Sequence, residues 1–261
     1  MPNEKRLKKA FDSLRRLYAK IPDTKGCMEN ICSGKCCDAW CCRLQNPQVL
    51  DCEFIYLWDH IQKTWTYAEI LDLLELCFRS YFSSAFNKSC VFWDKETKLC
   101  RIHTHRPFNC YIYGITPEDE IQPRIDLLRE SNKKDPFAQI KDQCKLVSTA
   151  NGVKVTTVMT NAWWKELKGI EVELGVKKRN IHDGYGGSYR SYHDHILLRL
   201  LPEDRMGEIT LLRVNATTEE IESFIIGYMD AVRRNLKQRV RDLNDTGNES
   251  GGAETSKDTT D

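Results

Sequence analysis

Hydrophobic positions along the first half of the chain recur at the spacing of amphipathic helices. One apolar stripe runs through residues 7–21 and a second through residues 54–61. Thr66-Tyr67-Ala68-Glu69 has the sequence of a capping box, and a third stripe that includes Cys77 follows it. The pattern therefore predicts three helices, and it places Cys77 in the core.

The second half of the chain carries further helix signals. Thr116-Pro117 predicts a helix start with proline in the first turn, and Thr217 predicts the start of the last helix. Trp163-Trp164 belongs to another predicted helix, as core and rim residues. The apolar run at residues 196–201 is interpreted as a buried strand with polar residues at its edge.

Two β-hairpins complete the predicted elements. The polar residues 94–97 separate two β-prone runs, and a turn there would set Cys90 nearly opposite Cys100. Asn151-Gly152 separates two further β-prone runs. The predicted fold class is therefore α+β, mainly helical, with two small β-hairpins and an irregular cysteine-rich metal-binding loop.

The same patterns predict how the chain is divided. Residues 1–150 form a predicted cysteine-cluster metal-binding region, and residues 151–241 a C-terminal α/β extension packed on it. Residues 242–261 are rich in Gly, Ser, Thr, Asp and Asn, which predicts a disordered tail.

Charge and composition exclude several classes of function. The 261 residues carry a net charge of +1, so no overall field favours nucleic acid, and the basic face of the first helix is interpreted as solvated. No apolar stretch approaches the ~20 residues of a membrane span, and no signal peptide opens the chain. We therefore expect a cytoplasmic protein without nucleic-acid or membrane partners, whose partner or substrate is an unknown protein or small molecule.

Cysteine gives this ordinary composition a specific chemistry. Seven of the twelve cysteines lie between Cys27 and Cys52, and none lies beyond Cys144. Structural disulfides are rare in a reducing compartment, and inert buried thiols do not cluster in loops. The clustered cysteines therefore predict a metal site.

The type of ligand narrows the choice of metal. Soft thiolates select zinc, copper(I) or iron–sulfur clusters over calcium and magnesium. The paired Cys-x2-Cys knuckles typical of tetrahedral zinc are absent, and the vicinal Cys36-Cys37 suits the several acceptor sites of a multi-iron cluster. An iron–sulfur cluster is therefore favoured, and zinc is the alternative.

Three segments carry a resemblance to a known family. They are Ile21-Pro22, Cys32-x-Gly34-Lys35-Cys36-Cys37, and Leu99-Cys100-Arg101-Ile102-x3-Arg106-Pro107-x2-Cys110-x-Ile112-Tyr113. Together they resemble the YkgJ-type cysteine-cluster family, also called the CxxCxxCC family, over residues 21–144. The first spacing is looser than Cys-x2-Cys-x2-Cys-Cys, which leaves the choice between Cys27 and Cys32 open.

The resemblance implies a domain that chelates zinc or iron, often as an iron–sulfur protein. The metal ligands that it implies are Cys27, Cys32, Cys36, Cys37, Cys90, Cys100, Cys110 and Cys144. One branch of the family resembles flagellin lysine methylases, although no glycine-rich cofactor loop supports that role here. Three functions stay open: an iron–sulfur protein supporting a redox or protein-modifying reaction, a zinc-stabilised interaction module, and a methyltransferase-like enzyme.

Several other polar residues have both a structural and a functional interpretation. For Arg106 the two roles are cofactor binding, through a hydrogen bond to metal-bound sulfur, and an ion pair with a carboxylate. His103 and His105 alternate on a predicted strand and are expected at the surface rather than as ligands. His193-x-His195 has the spacing of a metal-binding pair on an extended segment, with His182-Asp183 as further candidates, or it is a polar strand edge.

Overall fold

The structure is a computed structural model, and it describes most of the chain outside the predicted cysteine loop. The described residues are 4–25, 47–82, 89–132, 148–178, 181, 187–200 and 205–249. Several predicted site residues lie outside these ranges, namely Cys27, Cys32, Cys36, Cys37, Cys144, His182 and Asp183.

The described residues fold mainly into helices, as the sequence predicted. The nine α-helices are α1 (Glu4–Tyr18), α2 (Asp51–Thr64), α3 (Tyr67–Phe82), α4 (Phe108–Ile112), α5 (Glu118–Asn132), α6 (Thr157–Leu174), α7 (Tyr192–Leu200), α8 (Arg205–Asn215) and α9 (Thr218–Glu249). A single 3₁₀ turn covers His103–His105. None of the described helices is long and apolar enough to cross a membrane.

Four two-residue strands form two small antiparallel sheets. They are β1 (Thr24–Lys25), β2 (Gln48–Val49), β3 (Ser148–Thr149) and β4 (Arg190–Ser191). β1 pairs with β3, and β2 pairs with β4. The mainly helical α+β class is confirmed, but both sheets join segments that are distant in sequence rather than neighbouring hairpin strands.

The chain divides into two compact units, Met1–Met206 and Gly207–Asp261. In the second unit a capping box starts α9, because Thr217 N donates to Glu220 Oε2 (2.8 Å) and Glu220 N donates to Thr217 Oγ1 (3.2 Å). α9 continues through residues 242–249, the first part of the predicted tail. The predicted boundary at residue 150 stays a prediction.

The core of the first unit lies between α1, α2 and α6. Its most buried apolar side chains include Leu14, Leu17, Leu50, Leu167 and Ile170. Burying such a cluster is the main favourable term in folding, at about 25 cal/mol for each Å² of apolar surface. The α1–α6 pair is therefore a metal-independent support for the elements around it.

The basic face of α1 lies at the surface, as predicted. Lys9 is 3.4 Å from Glu173, and Lys20 donates to the Glu166 carboxylate at 2.7 Å, with all four side chains at least one-third exposed. Exposed pairs of this kind contribute at most about 1 kcal/mol each. These two lysines therefore pair with acidic residues of α6.

Side-chain caps begin α3, where one was predicted, and α6, where none was. Thr66 N donates to Glu69 Oε2 at 2.8 Å, and Glu69 N donates to Thr66 Oγ1 at 3.3 Å, so the predicted capping box starts α3. Thr156 caps α6 by accepting from Met159 N, and Gly175 ends that helix with φ of 110°. A left-handed residue at this position favours glycine.

The predicted hairpin at Asn151-Gly152 is wrong. Ser148–Thr149 pairs with Thr24–Lys25 across the chain, while the residues after Gly152 lead into α6. Thr149 Oγ1 donates to Val153 O at 2.8 Å and closes the turn locally. The β-prone run 153–158 is short, and the Thr156 cap turns its end into a helix.

The predicted strand at residues 196–201 is also wrong, because residues up to Leu200 belong to α7. Ser191 and Asp194 stand at the start of this helix, and Asp194 N donates to Ser191 Oγ at 3.4 Å. Ile196 and Leu197 are buried where α7 packs against α3. A buried helix has the same continuous apolar sequence as a buried strand, so the run alone could not distinguish them.

Candidate metal centre

Three of the predicted cysteine ligands lie within the described residues. Cys90 is buried in the turn before an isolated bridge that pairs Trp93 with Cys100. Cys110 lies in α4, where its backbone N–H bonds to Pro107 O at 2.9 Å. Each of the three is thus held by a short element rather than by a long loop.

The hairpin that carries Cys90 and Cys100 has a different register from the predicted one. Trp93, not Cys90, pairs with Cys100, because the loop includes Lys98 and Leu99 as well as residues 94–97. Asp94 Oδ1 accepts from Glu96 N and Thr97 N at 2.8 and 3.1 Å, and Lys98 has φ of 60°. A side-chain cap and a left-handed residue close a longer loop than a four-residue turn.

All three described cysteines affect the pKa of one buried residue, Tyr192. The ring is 1% exposed, and burial raises the pKa of its hydroxyl well above 10, with negative charge at Cys110 as the next cause. Charge at Cys90 and Cys100 raises the same pKa further. The three thiols are therefore all within electrostatic range of one buried phenol, at the start of α7.

The two small sheets fix both ends of the cysteine loop. β1 ends at Lys25, immediately before the loop, and pairs with β3, which begins four residues after Cys144. β2 follows the loop and pairs with β4, whose next residue is Tyr192. Lys25 and Ser148 are direct partners in the β1–β3 pair, so the described residues on either side of residues 26–147 lie next to each other.

Asn109 links the end of the loop to α4. Its side-chain Nδ2 donates to Gln48 O at 2.9 Å and to the Tyr189 hydroxyl at 2.5 Å. Gln48 belongs to β2, and Asn109 precedes Cys110 in α4. The loop exit, Cys110 and the approach to Tyr192 are therefore held together.

Arg106 is a buried cation beside the loop entrance. Its Nη1 lies 2.5 Å from His103 Nε2, its Nη2 donates to Thr24 Oγ1 at 3.1 Å, and its guanidinium lies over the Tyr111 ring. The side chain is 8% exposed, and Nε has no hydrogen-bond partner among the described atoms. Its described contacts include no carboxylate, so the predicted ion pair is not formed there.

Glu53, in the first turn of α2, is a buried carboxylate. Its Oε1 accepts from Tyr18 OH (2.9 Å) and Phe108 N (2.7 Å), and its Oε2 accepts from Leu50 N (3.1 Å). Burial raises the pKa of Glu53 to about 7, although these three hydrogen bonds oppose the shift. Phe108 is the first residue of the helix that carries Cys110.

The sequence did not indicate Tyr192 or Glu53. Glu53 falls in the first turn of a predicted helix, which is an ordinary place for an acidic residue. Its bond from Leu50 N is an ordinary helix-start contact, and the partners that bury it, Tyr18 and Phe108, come from α1 and α4, which are distant in sequence. Tyr192 precedes the predicted polar edge and has no local signal either.

The histidines do not behave as the predicted strand patterns require. His103 and His105 lie on the 3₁₀ turn, where His105 stacks on His60 with ring centroids 3.5 Å apart. Burial, and then the charge of Arg106, lowers the pKa of His103 to about 4. His103 is therefore a neutral partner of Arg106 rather than an exposed surface group.

His193 and His195 lie on α7, not on an extended segment. His193 Nε2 is 3.1 Å from Ser191 Oγ, whereas His195 Nε2 is 2.8 Å from Val49 O. Residues two apart on a helix point in different directions. The predicted pairing of these histidines on one metal is therefore wrong.

Among the residues that the structure describes, no group of three or more His, Cys, Asp or Glu side chains is close enough to hold a metal ion. Cys90, Cys100 and Cys110 would need the cysteines of the loop to complete a centre. Cys77 is 0% exposed on α3, as predicted for a core residue. Cys52 is likewise buried, on α2.

Comparison with known proteins supports the metal-binding prediction. Residues 26–146 match the family model CxxCxxCC, described as a "putative zinc- or iron-chelating domain". The matched segment contains all eight predicted cysteine ligands and Arg106. No curated protein and no solved structure matched the chain.

Proposed function

We propose that residues 26–146, which match the CxxCxxCC family model, hold an iron–sulfur cluster. The proposed ligands are drawn from Cys27, Cys32, Cys36, Cys37, Cys90, Cys100, Cys110 and Cys144. A bound cluster would supply one-electron transfer, either for electron transport or in support of a modifying reaction.

The match to the family model carries the proposal, and the common electrostatic influence of three described thiols on Tyr192 supports it. Cys90, Cys100 and Cys110 come from three different short elements, yet each charge acts on the same buried hydroxyl. A metal site needs ligands that converge from separate segments, and cysteine thiolates are the ligands that iron–sulfur clusters prefer.

Arg106 is a second argument for a negatively charged metal centre beside it. Its buried guanidinium has an Nε–H without a described partner, and an unpaired buried donor is costly. Thiolate sulfur in a metal centre is an acceptor that such a donor can satisfy. We therefore assign Arg106 as a residue that binds the cofactor through its sulfur ligands.

The choice of iron over zinc rests on the number and spacing of the thiols. Eight cysteines exceed the four ligands of one zinc ion, and the vicinal Cys36-Cys37 suits a cluster with several iron atoms. Two four-cysteine zinc sites would use the same residues and leave a colourless structural module. Visible absorbance therefore distinguishes the two metals.

Single cysteine variants test the assignment of ligands. We expect Cys110→Ser, purified anaerobically, to lose most of its iron and its visible absorbance, because a serine hydroxyl is a poor ligand for a cluster. The control is Cys77→Ala, which removes a fully buried core thiol from α3 and should keep its iron, at a cost of about 1 kcal/mol in stability.

Equal iron in the Cys110→Ser variant and the wild type would contradict the ligand assignment. Zinc in both proteins, without iron or visible absorbance, would contradict the cluster while keeping the metal site. Circular dichroism of both variants shows whether a loss of metal follows a loss of fold.

A further inference from the structure

Glu53 joins three segments that surround the proposed metal centre. It receives hydrogen bonds from Phe108 at the start of α4, from Leu50 just after β2, and from Tyr18 in α1. The first of these segments carries Cys110, and the second is the exit of the cysteine loop. One carboxylate thus fixes the relative position of both.

The described partners that hold Glu53 in place are uncharged hydrogen-bond donors. Its described hydrogen bonds come from two backbone N–H groups and one hydroxyl, with no lysine or arginine among them, and the side chain is 4% exposed. An ionised carboxylate accepts at both oxygens, and no neutral side chain of the same size can do so. The hydrogen bond from Phe108 N places Glu53 at the first turn of the short helix that carries Cys110.

We propose that Glu53 is a positioning residue of the metal centre, which sets the orientation of Cys110 by holding the first turn of α4 against the end of the cysteine loop. The inference rests on the proposed function of this domain as a metal centre. At other metal sites, carboxylates outside the ligand shell orient the ligands, and Glu53 has this role for Cys110 in the proposal.

Glu171 provides a matched control. It too is a buried carboxylate that accepts two backbone N–H groups at the start of α2, from Asp51 (3.1 Å) and Cys52 (2.8 Å). It comes from α6, and its described backbone donors are not in α4. Glu171→Gln therefore removes the same chemistry from the same helix end without disturbing the Cys110 turn.

The test compares Glu53→Gln, Glu171→Gln and wild-type protein, each as purified with its metal. In Glu53→Gln the amide nitrogen takes the place of Oε2 and faces Leu50 N. Both groups are hydrogen-bond donors, so the hydrogen bond from Leu50 N is lost. We expect its metal to be lost to excess EDTA about ten-fold faster than from wild type, in the range of other outer-sphere changes. Glu171→Gln should lose metal within about two-fold of the wild-type rate.

A spectroscopic measurement separates positioning from general destabilisation. The sulfur-to-metal absorption bands should shift in Glu53→Gln and stay in place in Glu171→Gln, even where urea unfolding shows the two variants equally destabilised. If the metal is zinc, cobalt(II) substituted for it provides the bands. Metal loss that is equal in the two variants, or unshifted bands in Glu53→Gln, would overturn the role of Glu53.

The outcome for the wild type distinguishes this inference from the proposed function. Zinc in place of iron contradicts the cluster but leaves the comparison of Glu53 and Glu171 intact. Iron and sulfide in the wild type with no difference between the variants contradicts Glu53 alone. A wild-type protein that binds no metal contradicts both.

Discussion

Asp51, His195 and Arg199 form a charged group where α2 begins. Asp51 Oδ1 lies 3.2 Å from His195 Nδ1 and accepts from Arg199 Nη2 at 2.9 Å. Burial alone would raise the pKa of Asp51, but the hydrogen bonds from His195 and Arg199 outweigh it and lower the pKa to about 2. The carboxylate is therefore ionised throughout the range in which proteins are normally studied.

The lowered pKa of Asp51 predicts a specific loss of stability in acid. Because the folded-state pKa lies below the ordinary 3.8, the stabilisation is present above about pH 4 and is lost as the pH falls towards 2. We expect Asp51→Asn to lower the free energy of unfolding at pH 7 by roughly 2 kcal/mol. Urea unfolding of both proteins over pH 2–7 measures this, and a difference that persists unchanged at pH 2 would contradict it.

Arg106 leads to a second prediction at the residue scale. A buried positive charge near a cluster stabilises the reduced, more negative state. We expect Arg106→Gln to lower the reduction potential of the bound cluster, by an amount equivalent to roughly 1 kcal/mol. Anaerobic redox titration provides the measurement, and an unchanged or raised potential would show that the guanidinium does not act on the centre.

At the scale of elements, the sequence predicted helices well and strand pairs poorly. The helix stripes and the capping box at Thr66 are local signals, and the packing of α1 on α6 uses the same apolar residues. β1 and β3 are two residues long and separated by more than 120 positions, so no local pattern reports their pairing. For the same reason the role of Glu53 could not be predicted, because its partners Tyr18 and Phe108 lie in α1 and α4, far from it in sequence.

The β1–β3 pair is predicted to matter for metal binding, because it closes the base of the cysteine loop. Ala150 N donates to Asp23 O at 2.7 Å, and the side chain of Ala150 is exposed. Ala150→Pro removes this donor, and we expect it to release metal to EDTA several-fold faster, at a cost of about 1 kcal/mol for one lost hydrogen bond.

Ala150→Gly is the control for this experiment, since it keeps the N–H and changes only backbone freedom. It should release metal at nearly the wild-type rate. If the proline and glycine variants behave alike, the pairing of the two strands is not what holds the loop entrance.

At the scale of the whole molecule, the bound metal and the apolar core are both expected to contribute to the free energy of folding. The α1–α2–α6 core is built from apolar side chains. We expect the folding of residues 23–144, which contain the eight predicted cysteine ligands, to depend on bound metal as well. Metal binding free energy is then part of the folding free energy. We expect removal of the metal to lower the thermal midpoint by several degrees or more, as followed by circular dichroism. An unchanged melting curve after complete chelation would refute a folding role for the metal.

The match to the family model and the metal-binding character could be predicted from the sequence, because cysteine spacing is itself the signal. The surroundings of the described cysteines could not, since Cys90, Cys100 and Cys110 belong to three separate segments. Tyr192 shows this most clearly: it follows Cys110 by 82 positions and is still within electrostatic range of all three thiols.

The most direct test of the central claim is an analysis of iron and acid-labile sulfide, with a visible spectrum, on wild-type protein purified without oxygen. An iron–sulfur centre predicts iron and sulfide in near-equal amounts and absorbance near ~400 nm that bleaches on reduction. Colourless protein that contains zinc and no sulfide would contradict the claim.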